Sequence, residues 1–298
     1  MVKQVTLLFS FFLASIAFSQ GNNPYFSITP AKFNADDAEI GVYKNAGNNA
    51  LILVSSKEWG IVKRVNGNDQ HFFNYFTVDA KSNKVSKFQR KSNSKFNEGP
   101  LCFTPDGKRV FFTRNSKKKN AATQKRELML FTAEVSTKGK WSNITPCNIN
   151  NKMYSVGHPA ISKEGDYIVF ASEAPGGQGG TDLYVATFDA NGTIGEPINL
   201  GPKVNTSGNE FFPWFSPEGQ LFFSSNGLKG LGGYDLFVTE LKNGKDVFNP
   251  MNLDAPINSL SDDIAIVYHE DMKGYMSSNR EKNNDNIYSF TQLRPIVF

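Results

Sequence analysis

NEFFPWFSPEGQLFFSSNG, residues 209–227, sets two short apolar runs on either side of a Pro-Glu-Gly turn. Variants of this pattern recur along the chain. They are VGHPAISKEGDYIVFASEA (156–174), NEGPLCFTPDGKRVFFTRN (97–115), the more worn DDIAIVYHEDMKGYMSSNR (262–280) and the looser AEIGVYKNAGNNALILVSSKE (38–58). Each has an apolar strand, a turn, and a second apolar strand that ends in small polar residues. A third strand follows every copy: HFFNYFTVD (71–79), RELMLFTAE (126–134), TDLYVATFD (181–189), YDLFVTEL (234–241) and DNIYSFT (285–291). A fourth element recurs as NITPCNIN (143–150), PINLGPKVN (197–205) and NPMNLDAPIN (249–258). The turn glycines Gly107, Gly165 and Gly219 lie 58 and then 54 residues apart. They supply the φ > 0 position that such turns need. Four strands at that period is the arithmetic of a β-propeller blade.

The last copy has three strands and then QLRPIVF, with no fourth element of the usual form. SITPAKFN (27–34) has that form and stands near the start. The expected fold is therefore all-β: a ring of five four-stranded blades, closed by the N-terminal strand as the outer strand of the last blade. Closure in this way hydrogen-bonds both termini and leaves no open edge. No window of a dozen residues carries the i, i+3, i+4 apolar stripe of a helix; 121–134 comes nearest, and its end aligns with third strands elsewhere.

Residues 1–20, MVKQVTLLFSFFLASIAFSQ, combine Lys3, an apolar run and small residues at a plausible cleavage site. That is the pattern of a secretory signal peptide, which leaves 21–298 as a single propeller domain of about 56 residues per blade. The expected location is outside the cytoplasm: periplasmic, outer-membrane associated or on the cell surface. No later stretch is apolar enough for a transmembrane helix. With 32 basic against 28 acidic residues, the net charge of +4 is no nucleic-acid footprint. Cys102 and Cys147 cannot form a disulfide framework, and three histidines leave little for a metal centre. The cysteines read as two free thiols, one in an inner strand and one in an outer strand of the same blade. No cofactor or metal is expected.

The combination of P-W-F-S-P-E-G (213–219), L-F-F-S-S-N-G (221–227) and G-G-Y-D-L-F (232–237) resembles the WD40-like repeats called PD40, as in TolB-type propellers. The blade length and the asparagine-rich fourth strand resemble the propeller domains of OmpA-family envelope proteins of Bacteroidota, including the PorE type of type IX secretion. The resemblance covers residues 25–298. It implies a scaffold or adaptor that binds a protein of an outer-membrane or secretion assembly, without catalysis. The lipid-anchoring Cys, helical repeats and peptidoglycan-binding domain usual in that family are not found in this sequence, so peptidoglycan binding is not carried over.

Propellers of this size also host glycosidases, which place two or three carboxylates around the channel. A catalytic carboxylate should occur once, whereas a structural one recurs from blade to blade. Glu39, Glu98, Glu210 and Asp263 all sit just before a first strand. Glu127, Asp182, Asp235 and Asp285 precede or open a third strand. Such repeated carboxylates are expected to accept backbone N–H bonds in loops, so no catalytic residue is assigned. The alternative reading is a carbohydrate-active propeller that binds or hydrolyses an envelope or environmental glycan.

His71, His158 and His269 read as framework residues. The runs GGQGGTDLY (176–184) and GLKGLGGYDLF (227–237) read as hairpin loops, because neither opens a helix or carries a P-loop ending. The basic stretch RNSKKKNAATQKR (114–126) occupies the same loop of the second blade, where it is either a solvated loop or a contact for an acidic partner or anionic lipopolysaccharide. On the face that carries these loops, the candidate partner-binding residues are Trp59, Arg114, Lys117, Lys118, Lys119, Arg126, Asn226, Asn279 and Arg280.

Overall fold

A computed structural model of the 298-residue chain describes residues 24–57, 63–65, 68–70, 72–89, 92–93, 97–281 and 284–298. The leader, Trp59 and His71 lie outside the described residues. The chain forms five four-stranded antiparallel blades in a ring, with no helix of four or more residues among the described residues. It is a five-bladed β-propeller.

Blade 1 runs Glu39–Lys44, Leu51–Ser55, Asn74–Val78 and Val85–Lys87, with a small hairpin (Lys63–Val65 and Asn68–Gln70) between its second and third strands. Blade 2 runs Glu98–Phe103, Arg109–Asn115, Leu128–Val135 and Trp141–Pro146. Blade 3 runs Val156–Ile161, Tyr167–Ser172, Asp182–Thr187 and Ile198–Asn199. Blade 4 runs Glu210–Phe215, Gln220–Ser225, Asp235–Lys242 and Met251–Asn252, with Asp246–Val247 pairing farther along its third strand. Blade 5 runs Asp263–Glu270, Lys273–Ser278 and Asn286–Gln292, and its outer strand is Phe26–Pro30. The ring closes as the repeat arithmetic requires, with Ser27 paired to Thr291 and Pro30 to Tyr288.

Period-2 alternation explains why the middle of each second strand is apolar on both faces. Adjacent residues point to opposite faces of a blade, and both faces are covered by neighbouring blades. Phe111 packs toward blade 3 among Ile168 and Phe170, while Phe112 packs toward blade 1 among Tyr75 and Val54. Phe222 and Phe223 divide in the same way between blades 5 and 3. The described residues thus form five inter-blade cores, the fifth joining Ile287 and Tyr275 of blade 5 to Leu53 and Phe76 of blade 1. Cys102 and Cys147 are free and buried in the core between blades 2 and 3.

The asparagine-rich fourth elements have a specific task. In blade 3, the Leu183 N–H donates to Asn205 Oδ1 (2.8 Å) while Asn205 Nδ2 donates to Leu183 O (2.9 Å). Asn258 clamps Leu236 identically in blade 4, Asn150 clamps Leu130 in blade 2, and Asn93 clamps Tyr75 in blade 1. In blade 5 the clamp comes from the far end of the chain: Asn34 holds Ile287 at 2.8 and 3.0 Å. Where the outer strand ends, an amide side chain completes the hydrogen bonds that another strand residue would have made.

Candidate functional site

The innermost strands line a central channel, and each carries a β-bulge at the same place. The register shifts between Glu39 and Val42, Glu98 and Leu101, Gly157 and Ala160, Phe211 and Trp214, and Ile264 and Val267. A bulge bends its strand and re-aims a side chain. Three non-glycine residues in these bulges adopt left-handed backbone: His158 (φ 50°), Phe212 (φ 51°) and Ala265 (φ 54°). For a residue as bulky as Phe this conformation is strained, at a cost of order 1–3 kcal/mol.

His158 and Phe212 meet at the wall between blades 3 and 4. Their rings lie 4.4 Å apart, with Phe211 5.4 Å from His158 and Tyr234 5.8 Å from Phe211. Phe211, Phe212 and Tyr234 are half-buried and form a ledge that solvent reaches, backed by the buried His158 ring. The His158 N–H donates to Thr113 Oγ1 of blade 2 (2.8 Å), and its Nδ1 accepts from the Phe212 N–H at 3.4 Å. The second bond leaves the ring proton on Nε2. Burial pushes the imidazole pKa down to about 3, so it is neutral at ordinary pH.

Two residues farther along the same strand, Trp214 packs 5.8 Å from Tyr43 and against the cores between blades 1 and 2, 2 and 3, and 4 and 5. It reaches across the ring's centre to join these cores. Beyond it, near the turns joining first to second strands, lies a cavity of about 240 Å³ whose walls include Cys102, Phe103, Ile161, Phe215 and Tyr268.

The recurring carboxylates stand behind the open mouth. Glu39, Glu98, Glu210 and Asp263 occupy one cross-strand position, opposite Ser55, Arg114, Ser225 and Ser278 respectively; blade 3 has Val156 there, opposite Ser172. All four are buried. Glu210 accepts from Thr206 N (2.9 Å), Thr206 Oγ1 and Ser225 Oγ (2.7 Å each), and Asp263 accepts from Ser259 N (2.6 Å). Their own amides latch one blade to the preceding one: Glu98 N to Phe73 O, Glu210 N to Thr181 O, Asp263 N to Tyr234 O and Glu39 N to Asp285 O, at 2.7–2.8 Å.

The carboxylates at the third strands occupy distinct positions. Asp182 and Asp235 open their strands and accept loop amides, from Gln178 and Gly179 and from Leu231 and Gly232. Asp285 lies one residue earlier in register, level with Thr181 and Tyr234. Glu127 instead binds the side chains of Asn120, Thr123 and Ser155. The glycine runs follow from this wrapping, because a Cβ on Gly177 or Gly230 would fall on the Asp182 or Asp235 carboxylate.

The remaining candidates divide. Arg114 turns inward, donating from Nε to Glu98 at 2.8 and 3.1 Å and from Nη2 to Ser92 O at 2.9 Å. Arg280 reaches Asp263 at 2.5 Å and lies over the Tyr288 ring. Asn226 accepts from Asn209 N and Asn279 from Asp262 N, so both brace the latch. Lys117, Lys118 and Lys119 are exposed, and Arg126 donates to the carbonyls of Ser116 and Lys117. Among the acids, burial pushes Glu39 furthest up, to about 8, and its Oε2 has no hydrogen-bond partner. Burial also raises Glu210, Asp235 and Asp285.

No protein family and no curated protein matches the chain. Among solved structures, an endo-arabinase from Bacteroides thetaiotaomicron superposes with a TM-score of 0.55 at 11% identity, covering 91% of this chain and 98% of that one. A luciferin-regenerating enzyme gives 0.52 at 10%, covering 92% and 97%. A putative TolB from Agrobacterium tumefaciens gives 0.49 at 12%, covering 82% and 71%. At these identities the likeness is one of fold. It corrects one expectation: enzymes share this fold across nearly its whole length, so repetition of carboxylates around the ring does not make the chain non-catalytic. No helix among the described residues is long and apolar enough to cross a membrane.

Proposed function

We propose that the protein is an exported, carbohydrate-active propeller that binds or hydrolyses an envelope or environmental glycan at the open mouth of its channel. One observation carries this reading: the half-buried ledge of Phe211, Phe212 and Tyr234, backed by the buried His158 ring, with Phe212 held there in strained backbone. Ligand sites are typically concave and aromatic-lined, with a few polar groups fixing orientation. Flat aromatic rings at a channel mouth suit the apolar faces of sugar rings, and Trp214, two residues along the same strand, reaches across the propeller's centre. An endo-arabinase shares the fold, which makes arabinan a sensible first substrate. Hydrolysis needs one protonated and one ionised carboxyl.

The test is incubation of the purified protein with arabinan and other polysaccharides, reading retention by affinity electrophoresis and reducing-end release. Retention of at least one polysaccharide supports the reading, and release of reducing ends adds hydrolysis to it. No retention and no release across the panel would overturn it.

A second reading, docking of an outer-membrane or secretion-apparatus protein, draws on exposed apolar side chains in the loops of the same face: Leu260 (80% exposed), Met153 (65%) and Leu231 (40%). Cross-linking in the native envelope separates the two, because docking requires a reproducible protein adduct at these positions.

A further inference from the structure

The second-to-third-strand loop of blade 2 is a built arm. Asn120 N donates to Lys125 O (2.7 Å), Ser116 N to Glu127 O (2.7 Å) and Asn115 Nδ2 to Arg126 O (2.9 Å), so residues 115–127 fold back on themselves. Asn120 Nδ2 then crosses to Met153 O at 3.1 Å, and Glu127 takes Ser155 Oγ at 3.0 Å. These bonds pin the arm to the segment that leads, three residues later, to His158, which backs the ledge. The pinned arm and the segment beneath it hold Lys117, Lys118, Lys119, Lys125 and Lys152 exposed, with Arg126 half-buried. Six basic residues in this one place exceed the net charge of the entire chain, +4. The neighbouring carboxylates offset them only in part. Glu127 is buried and hydrogen-bonded, Glu98 is committed to Arg114, and Glu173 alone is exposed, where it accepts from Ser155 N.

We propose that the glycan is a polyanion, a uronic-acid or sulfated polysaccharide, whose acidic groups lie along the blade 2 arm while its sugar rings reach the aromatic ledge. The proposal rests on the carbohydrate reading above and names its substrate class. Lysines held beside a stacking surface attract anionic chains and raise their local concentration, an effect that weakens with salt. The four loops that join second to third strands in the other blades have no comparable lysine run in the sequence, so orientation follows: a bound chain runs from the ledge toward blade 2.

The test compares four ligands on the full chain by isothermal titration: polygalacturonate, dextran sulfate, uncharged dextran and polyglutamate. Wild type is expected to bind polygalacturonate or dextran sulfate at least about tenfold more tightly than dextran, with the difference shrinking between low and high salt. Lys117→Glu/Lys118→Glu/Lys119→Glu, at exposed sites, should lose about tenfold or more for the polyanions with an unchanged melting temperature. Phe212→Gly should weaken the sulfated and uronate chains but not polyglutamate. Equal affinity for dextran and dextran sulfate, or no effect of the triple reversal, would overturn the polyanion proposal while leaving the carbohydrate reading intact. Polyanions bound no more weakly by Phe212→Gly, with polyglutamate as good as polygalacturonate, would overturn both and point to an acidic protein.

Discussion

Blades 2 and 4 are built on the same strands and clamp, and they differ where function is sought. Both anchor the third strand with one asparagine, Asn150 on Leu130 and Asn258 on Leu236, at nearly equal distances. Across the mouth, blade 4 carries the row Glu210, Ser225, Asp235, and blade 2 carries Glu98, Arg114, Met129. With Asp235 in place, the preceding loop must wrap its amides around a carboxylate, which commits the loop to glycine. With Met129 there instead, blade 2 has no such constraint, and its loop is free to become a lysine-bearing arm pinned from outside by Asn120. The guanidinium of Arg114 then satisfies Glu98, which in blade 4 is the work of hydroxyls and a backbone amide. Losing the aspartate from that row lifts the constraint on the loop, and blades 1 and 5, with Asn74 and Asn286 there, show that it does not by itself create a basic arm.

The largest expected effect would break this comparison outright. Glu98→Ala strands the mostly buried Arg114 guanidinium and should cost about 3–5 kcal/mol in denaturant unfolding. Ser225→Ala in blade 4 removes a hydroxyl bonded to Glu210, Gly227 N and Leu228 N and should cost about 1–3 kcal/mol. Equal losses would mean that the two rows are held in the same way. Next in size, Asn150→Ala and Asn258→Ala each orphan one buried N–H, since the paired carbonyls keep a bond from Cys147 N and Leu253 N. Each should cost about 1–3 kcal/mol, and by the same amount in both blades. A clamp that mattered in only one blade would show that the common frame is not common.

Smaller effects come with pH. Glu39 is protonated in the fold up to about 8 but ionises near its ordinary 4.5 when unfolded. Its contribution is therefore present below 4.5 and lost as pH rises toward 8. His158 works in the opposite sense: held neutral down to about 3 against an ordinary 6.5, it contributes above 6.5 and the contribution is lost as pH falls toward 3. Melting temperatures across pH 3–8 should show Glu39→Gln flattening the alkaline slope and His158→Asn flattening the acid one. A Glu39→Gln profile parallel to wild type would contradict the buried protonated acid.

The blade arithmetic was legible in the sequence because turn glycines and apolar doublets repeat with a fixed period. Even the closing strand was legible, since SITPAKFN matches the other fourth elements down to Asn34, the clamp residue. The bulges were not. A bulge adds one residue to a strand without changing its composition, and left-handed His158, Phe212 and Ala265 give no sign of their φ. The ledge was missed for the same reason, although one trace existed: of the first strands, EFFPWF alone doubles an aromatic before its proline. Arg114 and Arg280 read as surface residues because their carboxylate partners lie 16 and 17 positions away, a distance that only strand register interprets.

The fold presents the Phe212 ring at a cost in backbone strain. Phe212→Gly removes the ring and permits φ > 0 freely, so loss of binding cannot be blamed on an intolerable backbone. The decisive measurement is a polysaccharide microarray probed with wild type and Phe212→Gly, with the melting temperature of each in parallel. The account predicts that wild type retains at least one polysaccharide, and that Phe212→Gly loses it while melting within a few degrees of wild type. Retention by both proteins alike, or by neither, would contradict the ledge as a glycan site.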